Sequence, residues 1–144
     1  MTSIIIACGS KKLPHPAPAR DLYVGSLFKN ARRAAESTGL PWYIMSAKYG
    51  ILRPDDMIEP YDMTYGKTTG KQPGEIAQQL ASLNVALPVW ALVPARYADV
   101  LRAAVGSSSV RAPLRGLSMG MQQRAFKFIR QAGNIEEGIR RVSD

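Results

Sequence analysis

The sequence predicts an α/β protein, a three-layer α/β/α domain around a central, mainly parallel sheet of about four strands. Three observations carry this. Apolar runs of strand length recur four times along the 144 residues. Their apolar character is continuous rather than alternating, as in strands covered on both faces. Amphipathic helical patterns separate them, and regular strand–helix alternation builds parallel sheets through right-handed crossovers. A chain of this length fits one domain with one core, here residues 1–144.

The first strand is Ser3 to Ala7. A stiff proline-rich connector, "PHPAP", follows at Pro14 to Pro18, because proline fixes its own φ and restricts the residue before it. "SLFKNARRAAESTG" is the first helix, with Leu27, Phe28, Ala31, Ala34 and Ala35 on one face and Gly39 as its stop. Trp42 to Met45 is the second strand. The 27 residues 46–72 show no long periodic pattern. Connections longer than ~12–15 residues are uncommon in compact domains unless they are functional or disordered. This one is rich in Tyr, Ile, Met and Leu, so it is expected to pack on the body as a long loop covering the site. A two-strand excursion or a short helix is the alternative. "PGEIAQQLASL" opens a helix with Pro73 in its first turn and Ile76, Leu80 and Leu83 as its stripe. Pro88 to Val93 is the third strand. "ARYADVLRAAVG" turns Tyr97, Val100, Leu101 and Ala104 inward. Val110 to Ala112 is a weak fourth strand. "SMGMQQRAFKFIRQAG" is read with Met121, Ala125, Phe128 and Ile129 inward and with Met119 and Met121 as core fillers. A last helix runs from Ile135 to Val142.

The charge is lopsided. Nineteen basic and eleven acidic residues give a net +8, and Asp55, Asp56, Glu59 and Asp62 place four of those acids within eight residues. The remaining surface is therefore more basic than the average, which favours polyanions such as nucleic acid or a nucleotide. Solubility alone is the bland alternative. No apolar run approaches the ~18 residues of a membrane helix. The N-terminal segment lacks the pattern of a signal peptide. The single cysteine, Cys8, makes no internal disulfide and excludes a multi-cysteine zinc site. A cytoplasmic protein without membrane contact, metal or cofactor is expected.

Parallel α/β sheets bind ligands beyond the C-terminal ends of their strands. The polar and basic residues of this sequence collect there. "CGSKK" follows the first strand. Gly9 offers backbone freedom and close approach, while Ser10, Lys11 and Lys12 offer a hydroxyl and two cations to a phosphate, or a solvated surface pair. Cys8 is either a nucleophile beside lysines or a small buried thiol. "DLYVGSLF" places Ser26 at a helix start, where N–H groups gather anions, and Tyr23 and Asp21 before it. Tyr23 stacks on a base or staples the core. "SAKYG" brings Ser46, Lys48 and Tyr49 out of the second strand. In "PYD", Tyr61 and Asp62 leave the Pro60 bend, and Asp62 is expected to turn inward toward Lys11 or Lys48 as a general base, or else to cap a turn. Ser118 and Gly120 open a helix after the fourth strand, with Gln122 and Arg124 able to reach a base edge or phosphate. His15, between two prolines, has no nameable partner.

The blocks "CGSKK", "ARDLYVGSLFKNAR", "WYIMSAKYGILRPDDMIEPYD" and "GLSMGMQQRAFKFI" together resemble a family of small, mostly uncharacterised domains common in bacteriophage and bacterial genomes. The resemblance runs from Ser3 to about Arg130. More distantly, the arrangement is similar to the uracil-DNA-glycosylase-like fold and to the matching region of archaeosine synthase, which acts on 7-deazaguanine in tRNA. The acid that glycosylases carry after their first strand is missing here, as are iron–sulfur cysteines. The resemblance implies a protein that processes nucleobases, nucleotides or nucleic acid through N-glycosidic or base-modifying chemistry; the residues themselves offer Asp62, Lys48 and Cys8 as the chemical groups. The alternative is a non-catalytic phage factor that grips nucleic acid or a host protein.

Overall fold

The computed structural model describes residues 2–66 and 69–143. In chain order the elements are β1 (Ser3–Ala7), β2 (Ala17–Pro18), α1 (Ala19–Leu22), α2 (Ser26–Ser37), β3 (Trp42–Ser46), β4 (Gly50–Leu52), β5 (Met57–Ile58), α3 (Pro73–Ser82), β6 (Val89–Leu92), α4 (Ala95–Val105), a 3₁₀ turn (Ser107–Ser109), β7 (Val110–Arg111), α5 (Met119–Ala132) and α6 (Ile135–Ser143).

The most apolar strand takes the centre. Ile4, Ile5 and Ile6 have no solvent exposure, and β1 pairs in parallel with β3 on one side and β6 on the other. The sheet order is β4-β3-β1-β6-β7, with all pairings parallel except the antiparallel β3–β4 edge. It is thus a five-stranded, mostly parallel sheet, one strand wider than expected. The chain moves from β1 to β3 on one flank and then crosses to β6 on the other, so the strand order reverses at β1 and β6. That reversal is the topological switch point where open α/β sheets form their ligand crevice.

Side chains alternate across the pleat. Ile4, Ile6, Ile44 and Leu92 enter an apolar cluster with α2, α5 and α6. Ile5, Met45, Ala91 and Val93 enter a second cluster with α3 and α4. No helix of the described residues is long and apolar enough to cross a membrane.

Three expectations are corrected. The segment 46–72 is not one long loop: it contains β4 and β5, and β5 pairs with β2 in a second, two-stranded sheet. Residues 67–68 of that segment lie outside the described residues, as do Met1 and Asp144 at the ends of the expected domain. The hairpin was hidden because its turn, Ala47 to Tyr49, looks like the start of a loop. Gly50 at φ +77° closes the turn and the Ser46 hydroxyl accepts the Tyr49 N–H at 3.2 Å. In α5, Phe126 is buried instead of Phe128, and Met119 and Met121 are exposed at 70% and 37%. Both methionines sit in the first turn, ahead of the stretch that packs on α2 and α6.

Candidate functional site

Cys8, Ser46 and Pro94 stand at the C-terminal ends of the three central parallel strands. The Cys8 N–H continues the β1–β3 pairing by donating to the Met45 carbonyl at 3.0 Å. Its thiol is half-buried and lies 3.4 Å from the Tyr97 hydroxyl on α4. A small cleft opens beside it, lined by Cys8, Gly9, Phe28, Pro94, Gln122 and Phe126 among others. Side chains from β1, α2, the end of β6 and α5 therefore meet at the switch point.

Around this cleft stands a group of tyrosines. The Tyr61 hydroxyl is 2.6 Å from that of Tyr23 and 2.6 Å from that of Ser46. Ser46 is fully buried and Tyr23 is 1% exposed. The Tyr49 ring meets Tyr61 edge to face at 5.3 Å, and its hydroxyl donates to the Glu59 carbonyl. On the other side of Cys8, Tyr65 and Tyr97 pack edge to face at 4.9 Å. All these contacts hold the 59–65 segment against the strand ends.

Burial, first of all, pushes the phenols of Tyr23, Tyr61 and Tyr97 up beyond their ordinary range. The charge of an ionised Cys8 pushes the same way, and is the second cause for Tyr61 and Tyr97. Tyr65 is pushed up to about 12 by burial, by Cys8 and by Glu75. These hydroxyls are neutral at physiological pH, where they act as hydrogen-bond donors and acceptors.

Two cations converge on this uncharged cluster. The Lys12 ammonium lies 4.4 Å from the centre of the Tyr61 ring and 5.9 Å from Tyr23. Lys48, from the β3–β4 turn, lies 5.3 Å from Tyr49 and 5.9 Å from Tyr61. Neither forms an ion pair with a described carboxylate. Two lysines facing one ring without a counter-charge favour an incoming anion.

The other candidates fall in varied places. Gly9 lines the cleft, but its φ is not positive, so no glycine-only backbone is needed there. Ser10 and Lys11 are exposed; the Ser10 carbonyl accepts the Lys12 ammonium at 3.4 Å. Ser26 is the first residue of α2 and caps nothing, since Gly25 holds the N-cap position. Ser118 does cap α5, accepting the Met121 N–H at 3.2 Å. Gly120 is exposed in that helix's first turn. Gln122 reaches the Cys8 cleft while its amide donates to the Leu117 carbonyl at 3.1 Å.

Asp62 does not turn inward. It is exposed and makes no hydrogen bond or ion pair with any described residue, while Tyr61 beside it points its hydroxyl into the cluster. Alternation along extended backbone gives the inward place to one neighbour and the outward place to the other. Of the remaining loop acids, Asp55 pairs with Arg20, Asp56 accepts the Arg53 N–H, and Glu59 is exposed. Among the described residues, no three His, Cys, Asp or Glu side chains are grouped to hold a metal.

Tyr65 was not singled out from sequence, and Tyr97 only as an inward residue of its helix. They sit far from Cys8 in the chain, and only the packing of α4 and the 59–65 segment onto the strand ends joins them. Behind Tyr65 lies a cavity of about 470 Å³, lined in part by Lys71, Arg96 and Asp99. Lys71 is 3.9 Å from Glu75 and Asp99 pairs with Arg115, while Arg96 forms no ion pair with a described carboxylate.

Residues 4–128 match the model of a family described as "Family of unknown function (DUF6884)". The chain belongs to that family. It is also similar to "Uncharacterized protein YfjM" of Bacillus subtilis (strain 168), at 41% identity over 69 residues. That match covers 43% of this chain and 46% of the relative, so the similarity spans about half the length of the curated protein. No solved structure gives a significant match.

Proposed function

We propose that the chain binds a nucleotide or nucleic acid at the C-terminal edge of its sheet, with a phosphate between Lys12 and Lys48. The observation that supports this most is the convergence of these two unpaired ammonium groups on the Tyr61 ring. A base then lies beside them, against Tyr49 and toward the cleft where Cys8 and Gln122 stand. Gln122 retains a free amide oxygen for a base edge. The net charge of +8 adds general attraction for such a ligand.

The reading is one of binding, because the side chains gathered at the site are tyrosine and serine hydroxyls and lysine ammonium groups, with no described carboxylate among them. N-glycosidic or base-modifying chemistry needs a proton acceptor near the base. Asp62, the carboxylate first expected to serve, stands outside the cluster, which favours a binding module over that chemistry. The same reading takes α2, α5 and α6 as one outer layer and α3 and α4 as the other, the three-layer plan of the uracil-DNA-glycosylase-like fold. It places the protein in the cytoplasm, that of the host where a phage encodes it. A host protein is the competing partner.

Calorimetric titration with a nucleoside monophosphate, at low and at raised salt, tests the proposal. Wild-type protein should bind and weaken as salt rises, since phosphate contacts release counterions. The Lys12→Ala/Lys48→Ala variant should lose most of that affinity. No binding by wild type at low salt, or equal binding by the double variant, refutes it.

A further inference from the structure

We propose that the groove between α2 and α5 is a track for the phosphate backbone of a single-stranded nucleic acid, delivering a base to the Cys8 cleft. This rests on the binding reading above and deepens it, naming a polymer and not a free nucleotide as the ligand.

The groove is a hollow of about 200 Å³ lined by Asn30, Gln123, Phe126, Lys127 and Arg130. Asn30 donates to Gln123 across it at 2.5 Å. Phe126 also lines the Cys8 cleft, together with Phe28 and Ala31 of α2 and Gln122 of α5. The two hollows share Phe126 as a wall and follow one another along the α2–α5 interface. From Gln122 to Arg130 this interface runs roughly 12 Å at ~1.5 Å per helical residue.

The charge on these helices is one-sided. α2 and α5 carry six basic residues, Lys29, Arg32, Arg33, Arg124, Lys127 and Arg130, against one acid, Glu36. Six minus one gives +5, out of +8 for the whole chain. Arg32 is spoken for by Glu36 and Asp21. Lys29, Arg33, Lys127 and Arg130 are exposed and form no ion pair with a described carboxylate. Arg33 follows Asn30 by three residues and so lies on the same side of α2. Elsewhere Arg140 and Arg141 pair with Glu137, Arg115 with Asp99 and Arg20 with Asp55, while Arg53, Arg96 and Arg102 form no ion pair with a described carboxylate. What sets the groove apart is that its bare cations share two adjacent helices with a single acid. A base stacked inside a duplex reaches a cleft recessed between two helices only by flipping out at an unstacking cost, and a single strand needs no such step.

Fluorescence anisotropy with a short labelled single-stranded DNA oligomer tests this. Two variants of equal charge are compared: Arg33→Gln/Lys127→Gln/Arg130→Gln in the groove, and Arg53→Gln/Arg96→Gln/Arg102→Gln away from it. The groove variant should bind the oligomer more weakly, with its log–log salt slope reduced by about 2, at ~0.7 per lost single-strand phosphate contact. It should bind a nucleoside monophosphate as wild type does. The control variant should change the slope by less than half as much. Equal slopes in the two variants overturn the track. So does an oligomer held no more tightly than the monophosphate, or a duplex held more tightly than the single strand. If wild type binds the monophosphate but not the oligomer, the track alone is wrong; if it binds neither, the binding reading falls with it.

Discussion

The Tyr61 hydroxyl is the single atom that joins the site, since it meets Tyr23 from the β1–α2 connection and Ser46 from the end of β3. Tyr61→Phe takes the 2.6 Å hydroxyl partner from both the fully buried Ser46 and the buried Tyr23. It should cost about 1–3 kcal/mol, the usual penalty for unsatisfied buried groups, as read from urea unfolding. Tyr65 gives the opposite case. Its buried hydroxyl has no partner among the described residues, so Tyr65→Phe, which keeps the ring on Tyr97, should stabilise by about 1 kcal/mol. It should also change the alkaline limb. The Tyr65 phenol is raised from 10.0 to about 12 in the fold. The folded state therefore holds its proton where the unfolded chain releases it, and the stability this confers is complete below pH 10 and lost between about 10 and 12. The Phe variant should lose stability less steeply across that window. Asp62→Asn, at an exposed and unpartnered position, should shift stability by less than about 0.5 kcal/mol. Sequence named Tyr23 before a helix start, Ser46 at a strand end and Tyr61 after a prolyl bend. It could not show that they bond to one another, because hydroxyl partners 38 and 15 residues apart leave no local signal.

Among the elements, those with a strong period were legible and the short ones were not. β1, β3 and β6 are continuous apolar runs, and α2 through α6 carry apolar faces or caps, so their existence follows from burial alone. β4, β5, β2 and α1 are two to four residues long, too brief for any period. They exist because other elements hold them: the Gln79 amide on α3 donates to the Tyr49 carbonyl at 2.9 Å and accepts the Ile51 N–H at 2.8 Å, which fixes the β4 turn. The α5–α6 pair depends on a different local detail. A β-carbon at Gly138 would stand 2.5 Å from the backbone N and Cα of Ile129. Gly138→Ala should force the helices apart and cost about 1–3 kcal/mol, as overpacking does, measured by the urea midpoint against wild type. A rise in the midpoint would show that α6 tolerates displacement and is not locked on α5.

At the scale of the molecule, charge and topology point to the same edge. The acids of 55–62 form a local patch, tied in part to Arg20 and Arg53. Among the described residues, Lys12 and Lys48 at the strand ends and Lys29, Arg33, Lys127 and Arg130 along α2 and α5 form no ion pair, as Arg53, Arg96 and Arg102 do not elsewhere. The net charge was legible from composition, but its arrangement was not: a residue count cannot say that Lys12 and Lys48, thirty-six positions apart in numbering, face one tyrosine ring. The central claim is that this pair forms a phosphate site beside the Cys8 cleft. The most direct test is a crystal structure of the protein with a nucleoside monophosphate. The account expects the phosphate between the Lys12 and Lys48 ammonium groups, with the base turned toward Tyr49, Gln122 and Cys8. A nucleotide seated in the cavity behind Tyr65, with Lys12 and Lys48 left in solvent, would contradict it.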